Sequence, residues 1–382
     1  MRCSRTGFTT WYDEAVDPAG LDPERGDAQE CPGDMTDKLR FGIVGCGVIG
    51  ATHAEAIAGL SDAELVAVAD VSAAAAQAER LARHFGVRVY TDLGEMLDRE
   101  ELDVVDVCTP SGMHGEHACQ IMRSGRHAIV EKPMDISLEA IDEMLRVQQE
   151  AGVKLAVISQ RRFDPVAQRV HALLQEGAFG RLTLGVAQIP WWRSQAYYDS
   201  GAWRGTWALD GGGVLMNQSI HTIDLLQWLM GPVRSILAYT DTLAHEMETE
   251  DTAVAALRFA SGALGAIVAT TAAYPGLGAR LDILGDRGSA VIENDRLRHL
   301  HLARDDQEEV GDYGTTACTE TEIDEGQTPP PGGTHALQIA DTIRAIREDG
   351  TPLVDGRAAR HPVEIILGIY ESARFHREVF LP

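Results

Sequence analysis

The sequence predicts an α/β domain built on a doubly wound parallel sheet, followed by an α+β domain with a large open, mostly antiparallel sheet. Two observations predict this order. Between residues 39 and 158, short apolar runs alternate with helical patterns, which is typical of parallel strands joined by crossover helices. After Asp164, apolar runs follow one another with only turns between them, which is typical of antiparallel pairing.

The elements of the first domain are read from these apolar runs. Its strands are predicted at Leu39–Val44, Glu64–Asp70, Val104–Cys108, His127–Glu131 and Lys154–Ile158. Its helices are predicted at Ile49–Gly59, Ser72–Phe85, Gly115–Ser124 and Leu138–Ala151, with Ser72 as an N-cap. Ligands of such sheets bind beyond the carboxyl ends of the strands, so the residues there are the candidates for a site.

The second domain is expected to begin with a helix over Pro165–Gly177. Its strands are predicted at Arg181–Ile189, Val233–Tyr239, Thr252–Phe259, Leu264–Ala273, Arg280–Leu284 and Ser289–Glu293, and residues 253–274 form a β-hairpin. One helix, Val214–Leu229, interrupts the strands. The acidic, proline-rich stretch 305–333 is expected to be an exposed loop, and helices near His335–Glu348 and Pro362–Val379 end the chain.

A glycine-rich turn follows the first strand. Gly45 permits the tight turn, Gly47 allows backbone to approach a pyrophosphate, and Gly50 lets the helix pack closely on the strand. Val48 and Ile49 complete the turn, and the helix N-terminus offers unpaired N–H groups to phosphates. Asp70 ends the second strand, where it can accept hydrogen bonds from ribose hydroxyls and would repel a 2′-phosphate. NAD is therefore favoured over NADP.

Composition narrows the function further. A net charge of −25 argues against nucleic acid, because a phosphate backbone needs a basic face. The six cysteines lie far apart, which favours reduced thiols over disulfides or a metal site and suggests the cytoplasm. No apolar run is long enough to cross a bilayer. Residues 1–34 lack the apolar centre of a secretory signal and are expected to be a disordered tail or an over-extended gene start.

Two segments carry candidate catalytic groups. Lys132 ends a central strand beside the nucleotide crevice, where desolvation favours a proton-transfer role, although a surface lysine is the alternative. Three glycines precede a helix that carries Asn217 and His221 on one face, four residues apart. The pKa of a histidine suits a general base for a hydroxyl, although a core histidine is the alternative.

A third segment, 191–207, holds six of the fourteen Trp and Tyr residues. Aromatic faces with interleaved polar groups suit a sugar ring, and a packing loop at a subunit interface is the alternative. A carboxylated sugar would also need an arginine in the cleft, for which Arg162, Arg193 and Arg204 are candidates. Trp191 and Tyr197 complete the predicted substrate residues.

The GCGVIG turn, the segment containing CTPSGMHGEHACQ and EKPM, and the GGGVLMNQSIHTIDLL helix occur in one order. In that order they resemble the Gfo/Idh/MocA oxidoreductase family. The resemblance implies a Rossmann domain, an open-sheet C-terminal domain, homo-oligomers built by sheet packing, a cis Lys132–Pro133 peptide, a catalytic Lys132 and an acid/base role for His221. It also implies that the nicotinamide half of the cofactor site is lined by Thr109, Pro110, Ser111, His114, Glu131, Lys132, Trp203 and Arg204.

One departure from the family pattern concerns Asn217. Many members carry Asp there, and asparagine can neither accept a proton nor stabilise an imidazolium by charge. The Asn-Gln-x-x-His pattern is similar to the branch that acts on nucleotide-linked sugars. The expected role of Asn217 is therefore to position the substrate while Lys132 and His221 handle the proton.

These observations predict an NAD-dependent oxidoreductase that interconverts a ring secondary hydroxyl and a ketone on a sugar, cyclitol or nucleotide-sugar. An NAD-retaining hydrolase or epimerase and a non-catalytic dinucleotide sensor are the alternatives. The expected division is a leader over 1–36, a Rossmann domain over 37–159, a substrate and oligomerisation domain over 160–360, and a C-terminal helix over 361–382 that packs back on the first domain. We expect a cytoplasmic homo-oligomer, a dimer or tetramer, with no metal and no membrane or nucleic-acid partner.

Overall fold

The computed structural model describes residues 38–71, 74–303 and 332–382. Its first sheet has six strands: Leu39–Val44 (β1), Ala63–Ala69 (β2), Arg88–Tyr90 (β3), Val104–Val107 (β4), His127–Val130 (β5) and Leu155–Val157 (β6). Their order is β3-β2-β1-β4-β5-β6, and every pairing is parallel. Strand order reverses between β1 and β4, which is where such sheets bind ligands.

The helices around this sheet are Val48–Ala58 (α1), Ala75–Phe85 (α2), Leu93–Arg99 (α3), His114–Arg123 (α4) and Leu138–Ala151 (α5). All four residues of β4 are buried, as expected for a parallel sheet with helices on both faces. Asp92 and Ser137 cap α3 and α5 by accepting main-chain N–H groups. The expected cap of α2, Ser72, lies outside the described residues.

The second sheet has eight strands: Leu182–Pro190 (β7), Val233–Asp241 (β8), Thr252–Phe259 (β9), Leu264–Thr270 (β10), Arg280–Gly285 (β11), Gly288–Glu293 (β12), Arg296–Leu302 (β13) and Val379–Phe380 (β14). Their order is β13-β12-β11-β7-β10-β9-β8-β14. Among the strand pairs that the described residues form in this sheet, only β7–β10 is parallel. Burial alternates along β9, so one face is packed and the other is exposed.

The remaining helices are Pro165–Gln175 (α6), Gln195–Asp199 (α7), Ile220–Met230 (α8), Gly333–Arg347 (α9) and Gly356–Phe375 (α10). Helix α8 packs on β7 and β11, whereas α10 contacts β8, α5 and β6 and so touches both sheets. Helix α9 packs against α1. Its Gln338 side chain bonds to the backbone of Val157 and Ser159 at the edge of the first sheet.

The structure confirms the predicted fold class and the hairpin formed by β9 and β10. It adds β3, β13 and β14, which are short or polar in sequence, and α3 and α7. It corrects the helix expected over 214–229, because Val214–Ser219 is a π-helix and the α-helix begins at Ile220. Helix α10 also begins earlier than expected, where Asp355 caps it, and it carries Pro362 inside.

Two expectations fall wholly or almost wholly outside the described residues, namely the leader and the acidic loop of 305–333. Among the residues that are described, Cys46, Cys108 and Cys119 are buried free thiols. In the same part of the chain, no helix is both long and apolar enough to pass through a membrane.

Candidate active site

The glycine-rich turn joins β1 to α1. Gly45 has a φ of +96°, and a Cβ there would lie 2.4 Å from the Cys108 oxygen. A Cβ on Gly50 would lie 2.1 Å from the Gly45 oxygen, so the helix rests directly on the turn. Above Gly47 there is open space, and no side chain caps α1. The first N–H groups of the helix are therefore available to a pyrophosphate.

Asp70 lies at the end of β2, beside this turn. Its Oδ2 accepts the Cys46 N–H at 2.7 Å and its Oδ1 accepts the Val71 N–H at 2.7 Å. Each oxygen keeps a lone pair for a ribose hydroxyl. The turn and Asp70 together fit a dinucleotide, with Val48 exposed and Ile49 half-buried at the start of α1.

The segment after β4 is held in place by the buried side chain of His114. Both ring nitrogens of His114 face main-chain oxygens, those of Pro133 at 2.7 Å and Thr109 at 2.8 Å. The ring is buried and joins the ends of β4 and β5, so it supports the predicted cofactor loop from within. Pro110 leads into a 3₁₀ turn at Ser111–Met113, where Gly112 donates its N–H to the Leu209 oxygen. That bond joins this loop to the segment containing Trp203 and Arg204.

Lys132 follows β5, and its peptide bond to Pro133 is cis, as the family resemblance implies. The Lys132 ammonium donates to the main-chain oxygen of Asn217 at 3.3 Å. Lys132 and His221 line one small cavity together with Met134, Val157, Ile158, Ser159, Ile220, Ala359 and Pro362. The structure therefore brings together the two groups that the sequence placed almost ninety positions apart.

His221 lies in the first turn of α8. Burial, followed by the positive charges of Lys132 and Arg161, lowers the pKa of His221 well below that of an ordinary histidine. The imidazole is therefore neutral at physiological pH and can accept a proton.

Asn217 lies in the π-helix that precedes α8. Its side-chain amide donates to the Asp210 carboxylate at 2.6 Å, and its oxygen accepts from Gln218 at 3.3 Å. Burial raises the pKa of the Asp210 carboxyl. Sequence reasoning gave Asp210 no role, although an acid directly before three glycines was a usable signal. Asp210 thus places a carboxylate beside the side chain of Asn217.

The π-helix is held by Glu250, another residue that sequence reasoning missed. Its carboxylate accepts the N–H groups of Gly213 at 3.0 Å and Leu215 at 2.9 Å, as well as the Tyr370 hydroxyl at 2.9 Å. Its main-chain oxygen accepts the N–H of Val214. Burial raises the pKa of Glu250 to about 7. π-Helical turns are common at functional sites, and this one sets the direction of Asn217.

The aromatic segment forms a cluster around Tyr197. The guanidinium of Arg204 lies 4.4 Å from the Tyr197 ring centre and 4.5 Å from that of Trp203, and it donates to the Tyr197 hydroxyl at 2.7 Å. Arg193 lies 5.3 Å from the ring centres of Trp191 and Tyr197. It donates to Gln218 at 3.0 Å, which links the cluster to Asn217. Neither arginine is paired with an acidic side chain of the described ranges.

Arg162 differs from these two arginines. Its guanidinium makes two bonds to the Asp224 carboxylate, at 2.8 and 2.5 Å, and both side chains are buried. The expectation that Arg162 contacts substrate is therefore corrected, because its charge is neutralised inside the protein. Glu131, expected to line the cofactor site, is also turned inward, toward His53 and His335. A separate groove of about 550 Å³ between α5 and α10 contains none of the predicted site residues.

A dinucleotide cradle beside a cavity that holds a lysine and a neutral histidine defines a nicotinamide-dependent oxidoreductase. Two family models match the chain: the NAD-binding Rossmann fold of an oxidoreductase family over residues 39–159, and the GFO/IDH/MocA C-terminal domain over 167–291. The chain belongs to the Gfo/Idh/MocA oxidoreductase family, and its cofactor is NAD.

Similar proteins include an inositol 2-dehydrogenase of Rhizobium meliloti, 29% identical over 81% of this chain and 97% of that protein. The WlbA dehydrogenase of Bordetella pertussis, solved with NADH and UDP-GlcNAcA, is 36% identical. Its alignment covers 90% of this chain and 99% of that one, with a TM-score of 0.80. A levoglucosan dehydrogenase solved with NADH is 25% identical, covers 91% of this chain and 100% of its own, and has a TM-score of 0.79.

Proposed function

We propose that this protein oxidises a ring secondary hydroxyl of a nucleotide-linked sugar acid to a ketone, reversibly. The observation that carries the proposal is the shared cavity of Lys132 and His221, in which the imidazole is neutral. The similarity to a dehydrogenase solved with UDP-GlcNAcA supports the substrate class.

Each residue has a distinct task in this reaction. His221 accepts the hydroxyl proton at an imidazole nitrogen, and Lys132 donates a hydrogen bond from its ammonium to the same oxygen. Asn217, oriented by Asp210, positions the sugar. Bound NAD would supply the hydride acceptor: the carbon that bears the hydroxyl would lose one hydride, which carries both electrons, and its oxygen would lose one proton to His221. Gly45, Gly47, Gly50 and Asp70 hold the cofactor.

The acidic character of the substrate is inferred from Arg193 and Arg204. Both are stacked on aromatic rings next to the Asn217 network, and neither has an acidic partner in the described residues. In a chain of net charge −25, two such guanidiniums are well suited to bind a carboxylate or phosphate. Because Arg162 is already paired with Asp224, it is not part of this proposal.

We further propose the division into 37–159, 160–360 and 361–382, and assembly through the outer face of the second sheet. That face presents large exposed apolar side chains on four neighbouring strands: Leu184, Leu237, Tyr239, Val254, Leu264 and Val268. A contiguous apolar surface of this kind is typical of a subunit interface. Sedimentation should show a dimer or larger assembly, and a monomer at all concentrations would contradict it.

The buried thiols are compatible with the cytoplasm, which we propose as the location.

The experiment compares UDP-GlcNAcA with UDP-GlcNAc, which carries a hydroxymethyl group in place of the carboxylate, and with myo-inositol, using NAD⁺ and NADP⁺ in turn. We expect NADH formation with the sugar acid, at least about tenfold lower kcat/KM without the carboxylate, and slower turnover with NADP⁺. Consumption of substrate without net NADH would instead select a hydrolase or epimerase that retains its cofactor. Binding of NAD without turnover of any hydroxyl compound would contradict the proposal.

A further inference from the structure

A chain of buried hydrogen bonds runs from the middle of the first sheet to the catalytic lysine. The Asp106 carboxylate faces Nδ1 of His53 at 2.8 Å, and Nε2 of His53 faces Oε1 of Glu131 at 3.0 Å. The second oxygen of Glu131 accepts the main-chain N–H of Lys132 at 2.9 Å. His53 and Asp106 are fully buried, and the Glu131 side chain is 5% exposed.

The geometry assigns a charge to His53. An imidazole between two ionised carboxylates donates to both of them only when each of its nitrogens carries a proton. Burial raises the pKa of Asp106, and the hydrogen bond from His53 opposes that shift. Burial by itself would lower the pKa of His53, but the Cys108 thiol, Asp106 and Glu131 around it raise that pKa well above the ordinary value. In turn, burial opposes ionisation of Glu131, whereas His335 and His53 hold its pKa well below the ordinary value.

His53 and the groups around it come from four different elements. Helix α1 carries His53, β4 supplies Asp106 and leads to Cys108, Glu131 follows β5, and His335 lies in the first turn of α9. The His335 ring packs edge-on against His53, with Nε2 3.7 Å from Glu131 Oε1. A change in the orientation of the Glu131 carboxylate would therefore shift the Lys132 main chain, which is bonded to that carboxylate.

We propose that His53 is a positioning residue for Lys132: as a buried imidazolium it fixes the Glu131 carboxylate, which holds the Lys132 N–H and so sets the lysine beside His221. The inference rests on the proposed function, because the role of Lys132 does. Nothing in the sequence marks His53 for this task. It lies on the dinucleotide-binding helix, one turn beyond the glycines.

A bound metal ion is the alternative use of this cluster. One atom each of His53, Glu131 and His335 lie within 4.8 Å of one another, and Asp106 would then orient the His53 ring. The distances favour the proton, because 2.8 Å is the length of a charge-assisted hydrogen bond and 3.0 Å is within the ordinary range for N–H···O bonds. A metal would also have to displace the proton from Nε2.

The test compares His53→Gln with Ile57→Ala in the holoenzyme with NAD. Gln keeps much of the histidine's size, but it is neutral and carries both of its N–H donors on one nitrogen, so it cannot replace the two ring nitrogens that face Asp106 and Glu131. Ile57 is a buried apolar residue one turn further along the same helix, outside the chain of bonds, and controls for general loosening of α1. Asp106→Asn keeps an acceptor for His53 and removes one charge.

We expect kcat of His53→Gln to fall about a hundredfold with KM within about threefold, because misplacement of a catalytic group lowers kcat. Ile57→Ala should keep kcat within about threefold, and Asp106→Asn should be intermediate. Two measurements do not need turnover. Nitrogen-15 NMR should show both His53 nitrogens protonated at neutral pH, and the Lys132 amide proton should move upfield in His53→Gln.

Three results would overturn the proposal. The first is a folded His53→Gln variant whose kcat stays within threefold of the wild type, and the second is an unshifted Lys132 amide proton in that variant. The third is one equivalent of metal that is bound by the purified protein and removed by a chelator. If wild-type protein turns over no substrate, the proposed function fails. The two NMR measurements still decide whether His53 positions Lys132.

Discussion

The ammonium of Lys132 donates to the main-chain oxygen of Asn217 at 3.3 Å, and this bond joins the end of a strand in the first sheet to the π-helix of the second half of the chain. The π-helix in turn is capped by Glu250, and Lys132 is held through Glu131 by His53. Both sides of the cavity are thus supported by buried acidic residues, and changes in those residues should alter the chemistry without touching substrate.

Replacing Lys132 should raise the pKa of His221. Lys132→Met removes a positive charge that, after burial, is the next largest cause of the depressed pKa. The variant should also lose about a hundredfold in kcat. Histidine NMR titration measures the pKa, and Lys154→Met, which removes a lysine paired with Asp349, is the control. An unchanged His221 pKa in Lys132→Met would show that the two groups do not face each other.

The pKa of Glu250 should make stability depend on pH. Its folded pKa of about 7 lies above the ordinary 4.5, so its contribution to stability is full below pH 4.5 and is lost as pH rises through 7. Relative to Glu250→Gln, which does not titrate, the free energy of unfolding should fall over that range by about 3 kcal/mol and then level. Urea unfolding at several pH values measures this, and parallel curves for the two proteins would contradict it.

Asn217→Asp should impair the enzyme even though it introduces the residue that many family members carry. The new carboxylate would lie against Asp210, where the two now make a 2.6 Å hydrogen bond, and two adjacent carboxylates cannot both ionise. We expect a loss of about tenfold or more in kcat at neutral pH. The double variant Asp210→Asn/Asn217→Asp exchanges the partners and should recover most of it. Equal activity of the two variants would contradict this arrangement.

Two of the three candidate arginines, Arg162 and Arg204, should separate by assay. Asp224→Asn leaves the buried Arg162 charge unpaired and should lower the free energy of unfolding by about 3–5 kcal/mol. Arg204→Met should raise KM for a sugar acid about tenfold with little loss of stability, because a hydrogen bond to a charged group is lost. Thermal unfolding and steady-state kinetics measure these effects. A similar KM increase for UDP-GlcNAc would show that Arg204 does not bind the carboxylate.

Much of the candidate site was predicted from short segments. The glycine turn, Asp70 and the Lys132-Pro133 step are local signals, since each depends on residues within one strand and its following turn. The substrate arginines were not predictable, because Arg162, Arg193 and Arg204 have the same chemistry and differ only in their partners. The partners of Glu131 were not predictable either. Its motif predicted a place in the cofactor site, but its side chain faces His53.

The sequence by itself determined the two kinds of sheet and the dinucleotide turn, because apolar periodicity and glycine placement act over a few residues, and it supplied Lys132 and His221 as candidates for the reacting groups. Only the tertiary structure decided which groups meet: Lys132 with His221, Asp210 with Asn217, His53 with Glu131, and Arg162 with Asp224. Burial in a shared low-dielectric interior sets their charges, and that environment is assembled from strands and helices far apart in the chain.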